Sequence, residues 1–174
     1  MDGASIIANL IPLLVPWWST IVQIGRLLGI IVFAIGVKNL AAEGRHHQGH
    51  RGGWNGIVAG LLMVNITGFL DAVAQSTLSG SSQNGLEGYN PSHGSDPSAL
   101  YVQFGIYVVM LVGLVGVIRG LFLIKQSAED GRQMGSAITH IVGGTMGVNV
   151  EAFLKMLASS MGGDIASAIN KILG

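Results

Sequence analysis

The sequence predicts an all-α membrane protein made of two tandem transmembrane hairpins, with short helices at both termini. Only 10% of the 174 residues are charged and 49% are hydrophobic, whereas soluble domains carry about 25% charged residues. Four stretches are mostly apolar over about 20 residues, the length that crosses a bilayer core. Apolar residues run through them without alternating, which favours helices over barrel strands.

The N-terminal segment, residues 1–16, is predicted to be a short interfacial helix that leads into the first span. Ala4–Val15 is apolar but is interrupted by Pro12, and Pro16 follows it. Asp2 is the only charged residue before Arg26, so the segment lacks the positive region of a secretory signal.

The four predicted spans define the domain organisation. They are Trp17–Val37, Trp54–Ala74, Leu100–Ile124 and Ser136–Ala158. Aromatic rings near their ends (Trp17, Trp18, Trp54 and Tyr101) favour the headgroup layer of a bilayer. We therefore predict a first hairpin over residues 17–75, a flexible polar linker over 76–99, and a second hairpin with a C-terminal tail helix over 100–174.

Basic residues predict the orientation of the spans. Lys38, Arg45 and Arg51 lie in loop 38–53, and Lys125 and Arg132 lie in loop 125–135. The connection between the hairpins has no Lys or Arg. Because basic loops stay in the cytoplasm, we expect both basic loops there at insertion, with both termini on the other side.

The two hairpins look like an internal duplication of one orientation. Val64-Asn65-Ile66 matches Val148-Asn149-Val150. Upstream, Leu27–Ile31 matches Leu114–Ile118 and Lys38 matches Lys125, provided that the second loop is about three residues shorter. Chance similarity of apolar segments is the alternative, but the polar matches favour duplication.

Small and polar residues predict where helices associate. Glycine pairs at four-residue spacing allow close helix contact, and they are Gly25/Gly29, Gly56/Gly60, Gly116/Gly120, Gly131/Gly135 and Gly143/Gly147. Asn65 and Asn149 bond either a neighbouring helix or their own backbone. Asp71 and Lys155 occupy matching repeat positions with opposite charge, and we expect them to pair across the repeat axis or between subunits.

Four cations are candidate ligands for a phospholipid headgroup: Arg26, Arg119, Lys38 and Lys125. Snorkelling to the interface is the alternative. His46, His47 and His50 suggest a metal site, but a basic loop facing headgroups explains them better. His140 has no acid one turn away for a proton relay.

Enzymatic motifs are missing from the sequence. It has no phosphate loop, no Ser–His–Asp pattern and no paired carboxylates on one face, and it lacks cysteine. We therefore expect no catalytic residues, no metal site and no cofactor other than structural phospholipid.

Three segments of the second hairpin carry a family resemblance. Val117–Gly120, Thr139–Gly144 and Val148-Asn149 resemble the IcmC/DotE family of type IVB secretion systems, and TraQ-like proteins of related conjugation systems more closely. The resemblance implies a non-enzymatic protein of the bacterial inner membrane that serves DNA transfer or effector export. In that membrane, the orientation predicted from the basic loops places both termini in the periplasm.

Each hairpin also resembles a conjugative pilin, which has a short basic loop and both ends outside. Such pilins assemble into helical filaments, with phospholipid between subunits and the loop lining the lumen. The resemblances imply a pilus or channel subunit that forms a homo-oligomer or filament. Its further partners would be phospholipid, other conjugation proteins and DNA in a lumen. It would lie in the inner membrane, or in an extracellular pilus after assembly. The alternatives are a static scaffold of the same apparatus and a small transporter or holin-like pore.

Overall fold

The computed structural model describes residues 3–43, 52–78, 97–130, 133–163, 166, 167 and 169. Its six elements are all α-helices: α1 (Gly3–Glu43), α2 (Gly52–Val64), α3 (Ile66–Thr77), α4 (Pro97–Asp130), α5 (Gln133–Val148) and α6 (Val150–Met161). The all-α prediction is therefore confirmed for the described residues. Most of the polar linker, the histidine-containing loop and the predicted C-terminal tail helix lie outside them.

Two helices are long and apolar enough to cross a membrane, within Ser5–Ala42 of α1 and Leu100–Ser127 of α4. They contain the predicted first and third spans. The number of candidate spans rises to four if each of the two bent helix pairs described below counts as one span. The 41 residues of α1 extend about 60 Å at 1.5 Å per residue, roughly twice the thickness of a bilayer core.

The predicted boundary between an N-terminal helix and the first span, at residue 16, is not a break in the structure. α1 runs through Pro12 and Pro16 without interruption. Proline removes one backbone donor, so the Ala8 and Pro12 carbonyls lose their helical partners. Thr20 donates its hydroxyl to the Pro16 carbonyl at 2.8 Å, which lies one turn beyond the two carbonyls that proline leaves without a helical partner.

The predicted second and fourth spans are wrong as continuous helices. The chain bends by 91° between α2 and α3 and by 89° between α5 and α6. Asn65 and Asn149, the single residues between these helices, have nearly the same backbone angles, with φ near −107° and −108°. Both bends therefore occur at matching points of the two hairpins.

The physical reason for the first bend combines a weak helix former with a buried apolar face beyond it, whereas at the second bend α6 buries only Ala158. Asparagine competes with the backbone for hydrogen bonds and lowers helix stability. After Asn65, α3 buries Ile66, Leu70 and Ala74, which are spaced by four residues on one face. The bend packs α3 against the rest of the molecule and buries this face, which would stay unburied if α2 continued as a straight helix.

The helices pair as the predicted hairpins require. α1 packs mainly against α2, and α4 packs mainly against α5. α4 also contacts both helices of the first hairpin. Gly3 of α1 lies beside Tyr101 of α4, and Gly25 lies beside Ile118, so α1 and α4 run parallel. The two hairpins consequently share one orientation in the molecule.

The core lies where α4 meets the first hairpin. Trp18, Met63, Met110, Leu114 and Leu121 are at most 1% exposed there. Many large apolar side chains face outward on every long helix, and examples with about two thirds of their area exposed are Leu27, Trp54 and Val112. A surface of this kind fits a membrane protein whose outer faces contact lipid or other protein.

Candidate assembly surface

Glycines let the backbones of the first hairpin touch. A methyl group on Gly36 would lie 2.5 Å from the Ile57 nitrogen, and one on Gly60 would lie 2.5 Å from the Phe33 nitrogen. Gly29 is equally tight, because its methyl would lie 2.7 Å from the Val64 nitrogen. No larger residue fits these positions without separating α1 from α2.

The second hairpin repeats this contact. A methyl group on Gly113 would lie 2.6 Å from the Gly144 carbonyl oxygen and 2.7 Å from the Val148 nitrogen. One on Gly120 would lie 2.9 Å from the Ala137 carbonyl oxygen. Both hairpins are therefore held by direct backbone contact, which maximises dispersion and allows weak Cα–H···O bonds.

The contacts correct the register of the duplication. Gly29 and Gly36 occupy the positions that Gly113 and Gly120 occupy in the second hairpin, and Gly60 corresponds to Gly144. The residue numbers differ by 84 in every pair, the same interval that relates Asn65 to Asn149. The repeat thus needs no deletion, and the predicted match of Lys38 to Lys125 is wrong by three residues. A three-residue shift leaves side chains on nearly the same helix face, so the apolar pattern hid the error.

The predicted glycine pairs divide into contact and surface positions. Within the described residues, Gly29, Gly56, Gly60, Gly120 and Gly147 lie close to a facing backbone, whereas Gly116 makes only ordinary contact. Gly25 faces Ile118 of the other hairpin, whose side chain would lie 3.2 Å from a methyl group on Gly25. Gly135 and Gly143 have open space around them. Gly131 lies outside the described residues.

Four contact residues were missed, namely Gly36, Gly53, Gly113 and Gly144. Three of them form glycine pairs at seven-residue spacing, namely Gly29/Gly36, Gly53/Gly60 and Gly113/Gly120, whereas Gly144 has no glycine seven residues away. A seven-residue interval is the repeat of two antiparallel helices that cross at a small angle. Seven-residue spacing is therefore the sequence signal for these contacts, and four-residue spacing does not contain it.

The two asparagines at the bends are not equivalent in their side-chain surroundings. Asn149 is 2% exposed, donates Nδ2 to the Thr145 carbonyl at 3.1 Å, and leaves its Oδ1 buried without a protein partner. The exposed Asn65 side chain lies against Gly68. Within one chain, Asn149 therefore bonds its own helix, which was one of the two expected outcomes.

The four candidate headgroup ligands differ in their exposure. Arg26 turns toward α3, where its Nη2 lies 3.5 Å from the Thr67 hydroxyl and its buried Nε has no protein partner. Lys125 is partly buried, whereas Lys38 and Arg119 are exposed. The outward-facing pair is thus better placed than Arg26 to meet a headgroup.

Lys155 has a partner other than the predicted Asp71. Its ammonium group lies 2.5 Å from Glu151 Oε1, one turn earlier in α6. The pair is largely open to solvent on the lysine side, and exposed pairs of this spacing stabilise a helix by about 0.3–0.5 kcal/mol. Pairing of Asp71 with Lys155 between subunits stays a prediction.

An apolar groove of about 440 Å³ runs along the outer side of the second hairpin. It lies between α4 and α5 and is lined chiefly by Val109, Val112, Gly116, Gly143 and Gly147. His140 borders it and bonds the Ser136 carbonyl of its own helix at 2.8 Å. The described residues contain no cluster of three metal-ligating side chains.

Comparison with models of known protein families, with curated proteins and with solved structures finds no match for this chain.

Proposed function

We propose that this protein is a non-enzymatic structural subunit of a bacterial type IVB-like conjugation or secretion apparatus, and that it self-assembles through its hairpins into a pilus or channel. The single observation that carries the proposal is the tandem arrangement of two like-oriented hairpins, each closed by backbone contact at glycine. Repeated units of one orientation suit a ring or filament in which every hairpin has an equivalent place.

The exposed apolar surface supports the proposal that copies of the chain assemble. Apolar side chains cover the outward faces of α1 and α4, including Ile30, Val37 and Val112. In lipid these faces gain little from the hydrophobic effect, so close packing decides whether copies associate. We propose that phospholipid occupies the space between copies. The exposed cations Lys38 and Arg119 are the proposed ligands of its headgroup.

The association with a conjugation apparatus, its protein partners and DNA in a lumen rests on the sequence resemblance alone. In this proposal the chain is inserted in the inner membrane with its basic loops cytoplasmic and its termini periplasmic. A pilus subunit then leaves the membrane, and a channel subunit stays within it.

Electron microscopy of the protein extracted from membranes tests the proposal. We expect negative-stain images to show filaments or rings of uniform diameter. Discrete monomers or dimers at every lipid and detergent condition would contradict a structural subunit.

One observation favours a second function, that of a small transporter or pore. Helices broken at matching points of two repeats are common at the substrate sites of transporters, and Asn65 and Asn149 mark such breaks here. Flux of ions or solutes into vesicles that hold the purified monomer would support this alternative, and the absence of flux would leave assembly as the better account.

A further inference from the structure

The first hairpin has a groove that corresponds to the groove on the second, and in the first hairpin it is filled. By the 84-residue interval, the groove residues Val109, Gly143 and Gly147 correspond to Gly25, Ala59 and Met63. Ala59 and Met63 are fully buried. Val109, in contrast, is 43% exposed, and Gly143 has open space around it.

The element that fills the groove of the first hairpin is α4 of the same chain. Ile118 packs its side chain 3.2 Å from the site of a methyl group on Gly25. Asn55 of α2 donates its amide to the Ile124 carbonyl at 3.5 Å. Leu114 and Leu121 lie on the same stripe of α4 as Ile118, and both are fully buried.

The corresponding stripe on α1 is uncovered. By the same interval, Leu114, Ile118 and Leu121 correspond to Ile30, Ala34 and Val37. Ile30 is 54% exposed and Val37 is 43% exposed, and Ala34 between them is exposed as well. Among the described residues, each chain therefore has an unfilled groove and an exposed stripe. The groove corresponds to the surface of the first hairpin that α4 covers, and the stripe corresponds to the face of α4 that covers it.

We propose that α1 of one copy packs into the α4–α5 groove of the next copy, as α4 packs onto the α1–α2 hairpin within each chain. The occupant of the groove is a second copy of this chain. The inference rests on the proposed function and deepens it by naming the two surfaces that join subunits. We call them the α1 stripe (Leu27, Ile30, Ala34, Val37) and the α4–α5 groove (Val109, Val112, Gly116, Gly143, Gly147).

The volumes at the centre of this interface are complementary. Within the chain, the large Ile118 meets the small Gly25. Between copies, the small Ala34 would meet the larger Val109. The combined volume of the two side chains is therefore partly conserved, but the larger residue now lies in the groove and not on the helix that packs into it. Because the two joined surfaces differ, the contact is heterologous and repeats head to tail, which produces a ring or an open filament.

Cysteine crosslinking distinguishes this interface from others, since the native chain has no cysteine. Ala34→Cys and Val109→Cys chains with different affinity tags are co-expressed, and the membranes are oxidised with copper–phenanthroline. We expect mixed-tag disulfide dimers to exceed same-tag dimers about tenfold, because disulfides form only when Cβ atoms approach closely. Ile35→Cys with Val109→Cys is the control, since Ile35 is exposed but lies off the α1 stripe, and its yield should fall about tenfold.

A variant that fills the groove supplies an independent readout. Gly143→Leu adds a side chain where the single chain has open space, so the subunit should fold while copies separate. Gly135→Leu makes the same change on the same helix, also in open space, and should leave assembly unchanged. Size measurements of both proteins in lipid nanodiscs check this, and intact Gly143→Leu assemblies would overturn the proposal.

The outcomes separate this interface from the proposed function. Assemblies seen by electron microscopy without mixed-tag dimers would overturn the interface and leave the structural role standing. Same-tag Ala34→Cys dimers in excess would show a twofold contact and also overturn it. Dispersed chains without crosslinks, with lipid covering both surfaces, would overturn both.

Discussion

Glycine in this chain sets the distance between helices. Gly29, Gly36, Gly60 and their counterparts in the second hairpin lie against facing backbone atoms at distances that exclude a Cβ atom. Seven-residue spacing could predict these contacts, with Gly144 as the exception, but the hydropathy pattern could not. An apolar helix has similar hydropathy whichever of its glycines faces a neighbour, so hydropathy does not distinguish a contact glycine such as Gly36 from a surface glycine such as Gly143.

Substitution of one contact glycine tests this account at the residue scale. Gly60→Ala places a methyl group 2.5 Å from the Phe33 nitrogen, and we expect it to destabilise the fold by about 1–3 kcal/mol through overpacking. Reversible unfolding in mixed micelles measures the change. Gly135→Ala is the matched control, because its methyl group meets open space. Equal stability of the two variants would show that α1 and α2 do not touch at Gly60.

At the scale of elements, the sequence pattern does not predict the two bends. Asn65 and Asn149 were recognised as matching polar residues, yet their flanks are apolar on both sides and together are long enough for a span. The direction of the chain after each asparagine depends on tertiary burial, such as that of Ile66 and Leu70 in α3. Composition does not contain information on that burial, whereas the uninterrupted helices α1 and α4 contain the first and third predicted spans.

Distances between spin labels test the bend between α2 and α3. Val58→Cys and Ser76→Cys place labels at exposed sites 18 residues apart. A right-angled bend at Asn65 predicts about 20 Å between them, and a straight helix predicts about 27 Å. Ile24→Cys with Ala42→Cys is the control, because these exposed sites are also 18 residues apart but lie in the continuous α1. Equal distances for both pairs would contradict the bend.

At the scale of the whole molecule, the internal repeat explains features that a single hairpin would not. The first hairpin buries Ala59 and Met63, whereas the second leaves Gly143 open in the corresponding groove. The shared direction of the two hairpins followed from counting helices. The correct register did not, because it depends on backbone contacts and not on side-chain similarity.

In the proposed assembly, neighbouring chains join through the same relation that joins the two hairpins of one chain. A cryo-electron microscopy reconstruction of the assembled protein measures that relation directly. We expect the hairpins to be evenly spaced. The rotation and translation from the second hairpin to the first hairpin of the next chain should be close to those from the first to the second hairpin within a chain. Pairs of chains related by a twofold axis, with the α4–α5 groove facing lipid, would contradict the account.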